Sequence, residues 1–538
     1  MEGVLLSRTQ FLLDQDDPHV LKLTVAPIFE IPNEILALIF WISTDSEHIE
    51  NQRTLIASSQ VCQRWRSVIF GCPALWGRII HFNTDPLPRL QQLLQRSEPA
   101  PIDVGRVDLQ LYLEQMRIME ILSESSSRIR IFNVRLSNRE RFFGPIFKQF
   151  FEQPAPLLEF MSISSNSSTS VVQGPLFQGD APYLRCLHLS NYSIEFALSM
   201  PILSRLTEFS ARNITAVVAP SASMWLMNLL QMPHLRWLSI IDSTAPTQET
   251  FPPTQVHLPD LTMLSLSGKF CDCVSLLDHI MAPSLISMRL NCSTVEPGHH
   301  FTRLLDNIKK NLSTWLLKAG EFPQIILMEH GRIFVGNSRR FSSLDNDAWN
   351  VSEVASLRSG CHANDSPICI LSLAWGDVED DIAFCHPLLS ALQPIFKVAT
   401  SLVLWIDDDN MRAESISEKM LRLRVCFHSF EHLHTLHLMN QSSKIILQIL
   451  SLSASPDIMF PSLKTLCFFI PRFYDEEDHF NALLSFVQIR AQIQQALANI
   501  VVSSDANGLS QITQRQTDIL KKHGVEVEVN NTLYQEYL

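Results

Sequence analysis

The sequence predicts an α/β protein in which a small all-helical head is followed by a repetitive α/β body. Two observations predict this class: a dense apolar helix that begins near a proline at residue 32, and a short apolar triplet that recurs from residue 131 onward. The length of 538 residues allows about three to four domains at ~150 residues each. With 46% hydrophobic residues, the chain is too apolar to be intrinsically disordered.

The charge balance and the cysteines exclude several classes of protein. The formal net charge is −13, whereas nucleic-acid binding needs clustered lysine and arginine, so we expect no nucleic-acid partner. We expect no membrane insertion, because no apolar run approaches the ~20 residues of a membrane helix. Glu2 stands where a signal peptide carries positive charge, and the 11 cysteines are scattered, which indicates a reducing compartment. The predicted location is intracellular, in the cytoplasm, the nucleus or both.

The first informative segment is IPNEILALIFWI, residues 31–42. Pro32 suits the first turn of a helix and Glu34 complements its positive end, so a helix is expected to begin near Pro32. Its apolar side chains wrap nearly the whole circumference, which is wider than the stripe of a surface helix. A second helix, predicted over Gln52–Phe70 and ended by Pro73, covers one side. The other apolar side needs a partner from this chain or from another.

Three blocks of this region, IPNEILALIF, SSQVCQRWRSVI and PALWGRI, resemble the F-box in composition and order. The resemblance covers roughly residues 28–80, with two departures: Ile31 stands where leucine is usual, and the spacer STDSEHIENQRT is long. It implies a helical module that docks on the Skp-type adaptor, and through it on the cullin, of an SCF ubiquitin ligase. The uncovered apolar side is the surface that such docking would bury. An ordinary two-helix piece of a protein core is the alternative.

The resemblance also implies which residues contact the adaptor. Some of these residues must instead hold the helices together, and the sequence does not divide the two roles. The assigned residues are Pro32, Ile35, Leu36, Ile39, Phe40, Val61, Cys62, Trp65, Leu75 and Trp76.

Beyond the head, the spacing apolar-x-x-apolar-x-apolar recurs, often just after a proline-containing turn. Because alternate residues of a strand face opposite sides, the last two apolar residues enter one core and the residue between them points away. The first intervals of about 22 to 29 residues are typical of leucine-rich repeats. The triplets are Ile131-Val134-Leu136, Leu158-Met161-Ile163, Leu184-Leu187-Leu189, Leu206-Phe209-Ala211, Leu235-Leu238-Ile240, Leu261-Leu264-Leu266, Leu285-Met288-Leu290, Ile368-Leu371-Leu373, Ala399-Leu402-Leu404, Leu433-Leu436-Leu438 and Leu463-Leu466-Phe468.

The predicted organisation is an N-terminal extension (1–26), the F-box-like head (27–82), a connecting segment (83–126) and a leucine-rich-repeat-like solenoid (127–538) with an irregular insertion near 291–367. A non-repeating α/β body is the alternative to the solenoid. Head and body together resemble the large F-box families of mushroom-forming fungi, and PLPRLQQLLQRSEPAPIDVGRVD is similar to the segment that joins the two parts in those proteins. This second resemblance implies a substrate-receptor layout.

In a solenoid, the residues between the two strand positions line a continuous concave recognition surface. Their mixture of small, basic and polar types indicates a protein target rather than an apolar small molecule. The expected target-binding residues are Arg135, His188, Ser239, Ser265, Arg289, His437 and Cys467.

The sequence carries no catalytic motif: G-x-S-x-G, the phosphate-binding loop and H-E-x-x-H are all missing. His299, His300 and Cys292 lack the spacing of a metal site, so no metal or cofactor is expected. The leading hypothesis is a non-catalytic substrate adaptor of an SCF-type ligase that recruits a target protein. The alternatives are an interaction scaffold without ligase function and an enzyme hidden in the irregular region Asn291–Pro367.

Overall fold

A computed structural model of the 538-residue chain divides into two compact units, residues 1–103 and 104–538. The structure describes residues 31–44, 50–109, 113–136, 144–165, 170–172, 176–194, 201–245, 255–292, 299–318, 325–329, 332–336, 369–375, 381–405, 430–439, 446–447, 450–451, 459–469, 477–503 and 512–530. The predicted N-terminal extension, 1–26, lies outside these residues.

In the first unit, the described residues from 31 to 96 form helices and their connections, as predicted for the head. Its helices are α1 (Asn33–Ser43), α2 (Glu50–Val61), α3 (Gln63–Phe70), α4 (Pro73–Arg78) and α5 (Leu87–Arg96).

The expected start of the first helix near Pro32 is confirmed, because Pro32 precedes α1 and Glu34 lies in its first turn. The expectation of a single helix over Gln52–Phe70 is wrong, since the chain breaks between α2 and α3 at Cys62. This residue is extended (φ −155°, ψ 167°), and its thiol accepts a hydrogen bond from the backbone N–H of Trp65 at 3.4 Å. A side-chain cap at this point starts a new helix in place of continuing the old one.

The second unit is a layered α/β body, which confirms the predicted fold class. Its helices are α6 (Leu113–Glu124), α7 (Gly144–Phe151), α8 (Ala222–Leu229), α9 (Phe270–His279), α10 (His299–Lys318), α11 (Asp381–Val398), α12 (Glu477–Gln492) and α13 (Gln514–Lys522). Its strands are β1 (Ile102–Leu109, crossing the boundary between the units), β2 (Ile129–Leu136), β3 (Phe160–Ser165), β4 (Ser170–Val172), β5 (Cys186–Ser190), β6 (Tyr192–Ile194), β7 (Glu208–Arg212), β8 (Trp237–Ile241), β9 (Val256–His257), β10 (Met263–Gly268), β11 (Ile280–Met281), β12 (Ser287–Cys292), β13 (Ile325–Glu329), β14 (Arg332–Gly336), β15 (Cys369–Trp375), β16 (Ser401–Trp405), β17 (Thr435–Met439), β18 (Thr465–Phe469), β19 (Asn499–Ser503) and β20 (Glu526–Asn530).

Sixteen of these strands form one sheet in the order β1-β2-β3-β5-β7-β8-β10-β12-β15-β14-β13-β16-β17-β18-β19-β20. From β2 to β12 the pairing is parallel and keeps one register. Leu264, for example, pairs with Leu238 on one side and Met288 on the other, so the predicted triplets align in rows.

The first triplet is the exception, because the strand pairing shifts it by two residues. Phe132 and Val134 pair with Met161 and Ile163, which makes the aligned triplet begin at Ile129 rather than Ile131. The sequence also missed a further repeat in which Ile500 pairs with Leu466. The shift moves one expected target-binding residue out of its row, as described below.

The helices of the first half cover the face of the sheet that carries the triplets. Phe132 of β2 stacks on Phe150 of α7 with ring centroids 4.4 Å apart, and Phe209 of β7 lies 5.7 Å from Trp225 of α8. All four side chains are fully buried. We call the opposite face of strands β2 to β12 the serine face; its aligned rows contain Ser162, Ser164, Ser190, Ser210, Ser239, Ser265, Ser267 and Ser287.

The predicted irregular insertion contains regular structure in its described parts. Helix α10 is followed by β13 and β14, an antiparallel pair that lies in the sheet between β15 and β16. Strand β14 pairs antiparallel with β15, and β13 pairs parallel with β16. The sheet therefore does not follow chain order here, and residues 337–368 lie outside the described part of the chain.

The chain leaves four neighbouring strands through a residue in the left-handed region. Asn191, Asn213, Asp242 and Gly268 occupy equivalent positions with φ of 52°, 53°, 46° and 139°. The backbone N–H of each of the first three donates to the next strand, as from Asn213 to the carbonyl of Ile241 at 2.8 Å. Asparagine, aspartate and glycine are the residues that tolerate this conformation at least cost.

In the second half, Arg490 of α12 is buried and bonds to backbone carbonyls of two turns. Its Nη1 donates to Phe460 at 3.0 Å and its Nη2 to Leu463 at 3.1 Å, before β18, while its Nε donates to Gln495 at 2.9 Å, before β19. Burial lowers the pKa of Arg490 to about 10, which leaves it charged at neutral pH. One side chain thus fixes the turns of two successive repeats.

We expect Asn213→Ala to lower the free energy of unfolding by about 1 kcal/mol, because the left-handed backbone conformation is less favourable for alanine than for asparagine. Asn213→Gly should be close to wild type. Urea unfolding followed by far-UV circular dichroism measures both, and equal stability of the two variants would contradict the argument.

Candidate interaction surfaces

Helix α1 has two apolar faces that differ in burial. Leu36 and Phe40 are 0% and 2% exposed and point into the head. Ile35, Leu38, Ile39 and Ile42 are 47%, 51%, 43% and 64% exposed. Their spacing of i, i+3, i+4 and i+7 forms one stripe along the helix, which we call the α1 stripe.

Two further exposed apolar side chains belong to the same unit. Val61 at the end of α2 is 63% exposed and Phe70 at the end of α3 is 47% exposed. Trp65 of α3 is half-buried, and its ring contacts Phe40 edge-on with centroids 5.2 Å apart. Trp65 therefore helps to hold α1 on α3 while part of its ring stays accessible.

The closing block of the head lies in its core. Leu75 and Trp76 are 0% and 2% exposed, and the indole N–H of Trp76 donates to the carbonyl of Ile69 at 3.0 Å. The guanidinium of Arg96 on α5 lies over the ring of Trp76, 5.0 Å from its centroid. Helix α5, from the predicted connecting segment, thus packs with the head.

The structure divides the ten residues expected at the adaptor contact. Leu36, Phe40, Leu75 and Trp76 are buried in the core. Cys62 and Trp65 are half-buried, and the exposed residues are Pro32, Ile35, Ile39 and Val61. Sequence reasoning missed Leu38, Ile42 and Phe70; the first two could have been found from the i, i+3, i+4, i+7 spacing.

Polar contacts fix the position of α1. Arg64 of α3 donates to the side chain of Asn33 at 3.0 Å and to the carbonyl of Ile31, which ties down the start of α1. Arg78 of α4 lies 4.1 Å over the Trp41 ring and donates to the Trp41 carbonyl at 3.0 Å, which ties down its end. The α1 stripe is therefore presented on a helix held at both ends.

Of the seven residues expected to bind the target, Arg135 is misplaced by the register shift. It pairs with Ser164, whereas Asn133 occupies the row of Ser162 and His188. Arg135 is exposed and Ser265 and Arg289 are half-buried, but the side chains of His188, Ser239, His437 and Cys467 are buried. Burial raises the pKa of the Cys467 thiol to about 12, with the nearby Glu528 carboxylate adding to the shift.

Aromatic side chains enclose His188 on the serine face. His188 of β5 lies edge-on between Phe160 of β3 and Trp237 of β8, with centroids 5.2 and 5.1 Å away. Its Nε2 is 3.9 Å from a carboxylate oxygen of Glu208. Trp237 thus reaches across β7 to His188. In the row that contains His188, Ser162, Ser210 and Ser239 are also buried, whereas Ser265 and Arg289 farther along the sheet are half-buried. The sequence offered no signal for this cross-strand contact.

Within the described ranges, no three His, Cys, Asp or Glu side chains are grouped so that they could hold a metal ion. No described helix is long and apolar enough to cross a membrane.

Comparison with known proteins finds a family similarity in the head. A family model described as F-box-like matches residues 28–81. Among solved structures, the leucine-rich repeat-containing protein LegL7 from Legionella pneumophila is similar at 11% sequence identity and a TM-score of 0.27, over 75% of this chain and 96% of that chain. No curated protein sequence matches the chain.

Adjacent residues of α1 should respond differently to truncation. Leu36→Ala is expected to destabilise the first unit by about 2–5 kcal/mol, because it leaves a cavity in the core. Ile35→Ala should cost much less, since half of that side chain is already in water. Thermal unfolding of the full chain measures both variants, and similar losses would show that the division into two faces is wrong.

We expect the head to become less stable in mild acid because of His81, which follows α4. Burial lowers the pKa of His81 below 6.5, the nearby Arg89 adds to the shift, and Asp85 opposes it. The unfolded chain therefore binds more protons, and stability present above pH 6.5 is lost as the pH falls. We expect His81→Gln to reduce the fall in melting temperature between pH 7 and 5.5; an unchanged fall would exclude His81 as its source.

Proposed function

We propose that this chain is a non-catalytic substrate-recruiting subunit of an SCF-type (cullin-RING) E3 ubiquitin ligase. Its head binds a Skp-type adaptor, and through it the cullin, and its body binds a target protein. The α1 stripe is the observation that carries the proposal, since it lies within the segment that matches the F-box-like family.

The α1 stripe has the properties of a docking surface. Ile35, Leu38, Ile39 and Ile42 are large aliphatic side chains, each more than two-fifths exposed on one helix. A contiguous apolar stripe of this kind gains free energy when a groove of another protein covers it. Leu36 and Phe40 are the side chains of α1 that pack into the core of the head, so the stripe remains available to a partner.

The proposed contact set extends the α1 stripe with neighbouring exposed residues. Pro32 precedes the stripe, and Val61, Cys62 and Trp65 lie at the junction of α2 and α3. Phe70 adds an exposed ring at the end of α3. The buried residues Leu36, Phe40, Leu75 and Trp76 act indirectly, by shaping the head.

In this proposal the body binds the target protein and catalyses no reaction itself. A sheet of aligned repeats presents side chains of many strands on one face, which suits binding to another protein. Holding a target beside a charged ubiquitin carrier raises the effective concentration of the two reactants. Transfer is then carried out by other subunits of the ligase.

Co-expression with a Skp-type adaptor tests the proposal. We expect Ile35→Asp with Ile39→Asp to reduce capture of the adaptor at least tenfold, because two carboxylates enter the apolar contact. The fold should be retained, since both side chains are exposed.

The matched control is Met224→Asp with Met227→Asp on α8, two exposed apolar residues of the body, 54% and 45% exposed. This variant should capture the adaptor like wild type. Circular dichroism of each variant checks the fold. Failure of the wild type to bind, or full binding by the α1 variant, would leave an interaction scaffold without ligase function as the better account.

A further inference from the structure

The serine face has a charge pattern that differs from the rest of the chain. Its charged side chains in the aligned rows from β2 to β12 are Arg135, Glu208, Arg212 and Arg289. The carboxylate of Asp242, which follows β8, accepts a hydrogen bond from Ser267 of this face at 3.2 Å. Three arginines against these two carboxylates still leave a positive formal charge, in a chain whose net charge is −13. Glu208 in addition lies beside His188, at 3.9 Å.

The arginines are evenly placed across the sheet. Arg135 on β2, Arg212 on β7 and Arg289 on β12 are each separated by three strand steps in the order β2-β3-β5-β7-β8-β10-β12. At about 4.8 Å per step, neighbouring arginines lie roughly 14 Å apart across the strands. Arg289 is offset by a further two residues along its strand, since it pairs with Ser265 in the row of Ser210. A single small anion does not reach two of them, whereas an extended chain segment with several anionic groups does.

The side chains between Arg135 and Arg212 are short. Arg135, Ser164, Ser190 and Arg212 follow one another in a single row. The two serines are half-buried, carry short hydroxyl side chains and can donate hydrogen bonds. A hydrogen bond from Arg212 Nε to Ser210 Oγ, at 3.2 Å, orients the guanidinium of Arg212.

We propose that the serine face binds an acidic segment of the target protein through Arg135, Arg212 and Arg289. Arginine pairs with carboxylate and phosphate in two-pronged hydrogen bonds, so both anions share the required chemistry. The net negative charge of the chain disfavours binding of such a segment elsewhere. The proposal rests on the body being the target-binding part of the chain.

Fluorescence anisotropy with the full chain tests this assignment. The probes are fluorescein-labelled twelve-residue peptides that alternate Glu with Ser, Gln with Ser, or phosphoserine with Ala. We expect the Glu peptide to bind at least tenfold more tightly than the Gln peptide, with affinity that falls as salt is raised. The phosphoserine peptide shows whether phosphate is the preferred anion.

Arg212→Glu with Arg289→Glu should weaken binding of the Glu peptide at least tenfold. The matched control is Lys309→Glu with Lys310→Glu on α10, the same change of charge at two exposed residues of a helix. It should bind like wild type. Equal affinity for the Glu and Gln peptides, no binding of either anionic peptide, or an equal effect of the two variants would overturn the proposal.

Adaptor capture, measured on the same proteins, separates this proposal from the ligase role. Selective peptide binding without adaptor capture would remove the ligase role and leave an acid-binding scaffold. Adaptor capture without selective peptide binding would remove only the acidic-segment assignment.

Discussion

The parallel backbone ladder from β2 to β12 is the constraint on which the body depends. Because the ladder keeps one register, equivalent residues of every repeat fall into one row, and the apolar triplets lie together on one face of the sheet. The other face carries serines and arginines together with apolar residues such as Phe160 and Trp237. The register that aligns the core therefore also aligns these side chains into rows.

In the head, the constraint is the composition of α1, which has more apolar side chains than one buried face can hold. Leu36 and Phe40 fill the core, and the opposite stripe from Ile35 to Ile42 stays exposed. Arg64 and Arg78 hold the two ends of the helix, so the exposed stripe keeps a fixed orientation. A rigid apolar helix loses little conformational entropy on docking, which favours association with a preformed partner.

The sequence predicted the architecture well, because the triplets and the proline-started helix are local patterns. The prediction was wrong where pairing between strands determines which residues face the core. In IRIFNVRL, both Ile129 and Ile131 are apolar, and only the register with β3 shows that the aligned triplet begins at Ile129. The burial of His188 by Trp237 depends likewise on residues far apart in sequence. For the proposed adaptor contact, the helical periodicity contained the whole α1 stripe. The residues assigned from the resemblance included Ile35 and Ile39 of this stripe, left out Leu38 and Ile42, and added the buried Leu36 and Phe40.

The β13–β14 hairpin changes how the body can lose its structure. In an ordinary repeat array each unit meets only its neighbours, so an end can fray or be trimmed without loss of the remainder. Here β13 precedes β15 in the chain and yet pairs with β16, which follows it. Chain segments on both sides of β15 are therefore needed to continue the sheet. The hairpin therefore links the two halves of the body, because both of its strands pair with strands that follow it in the chain.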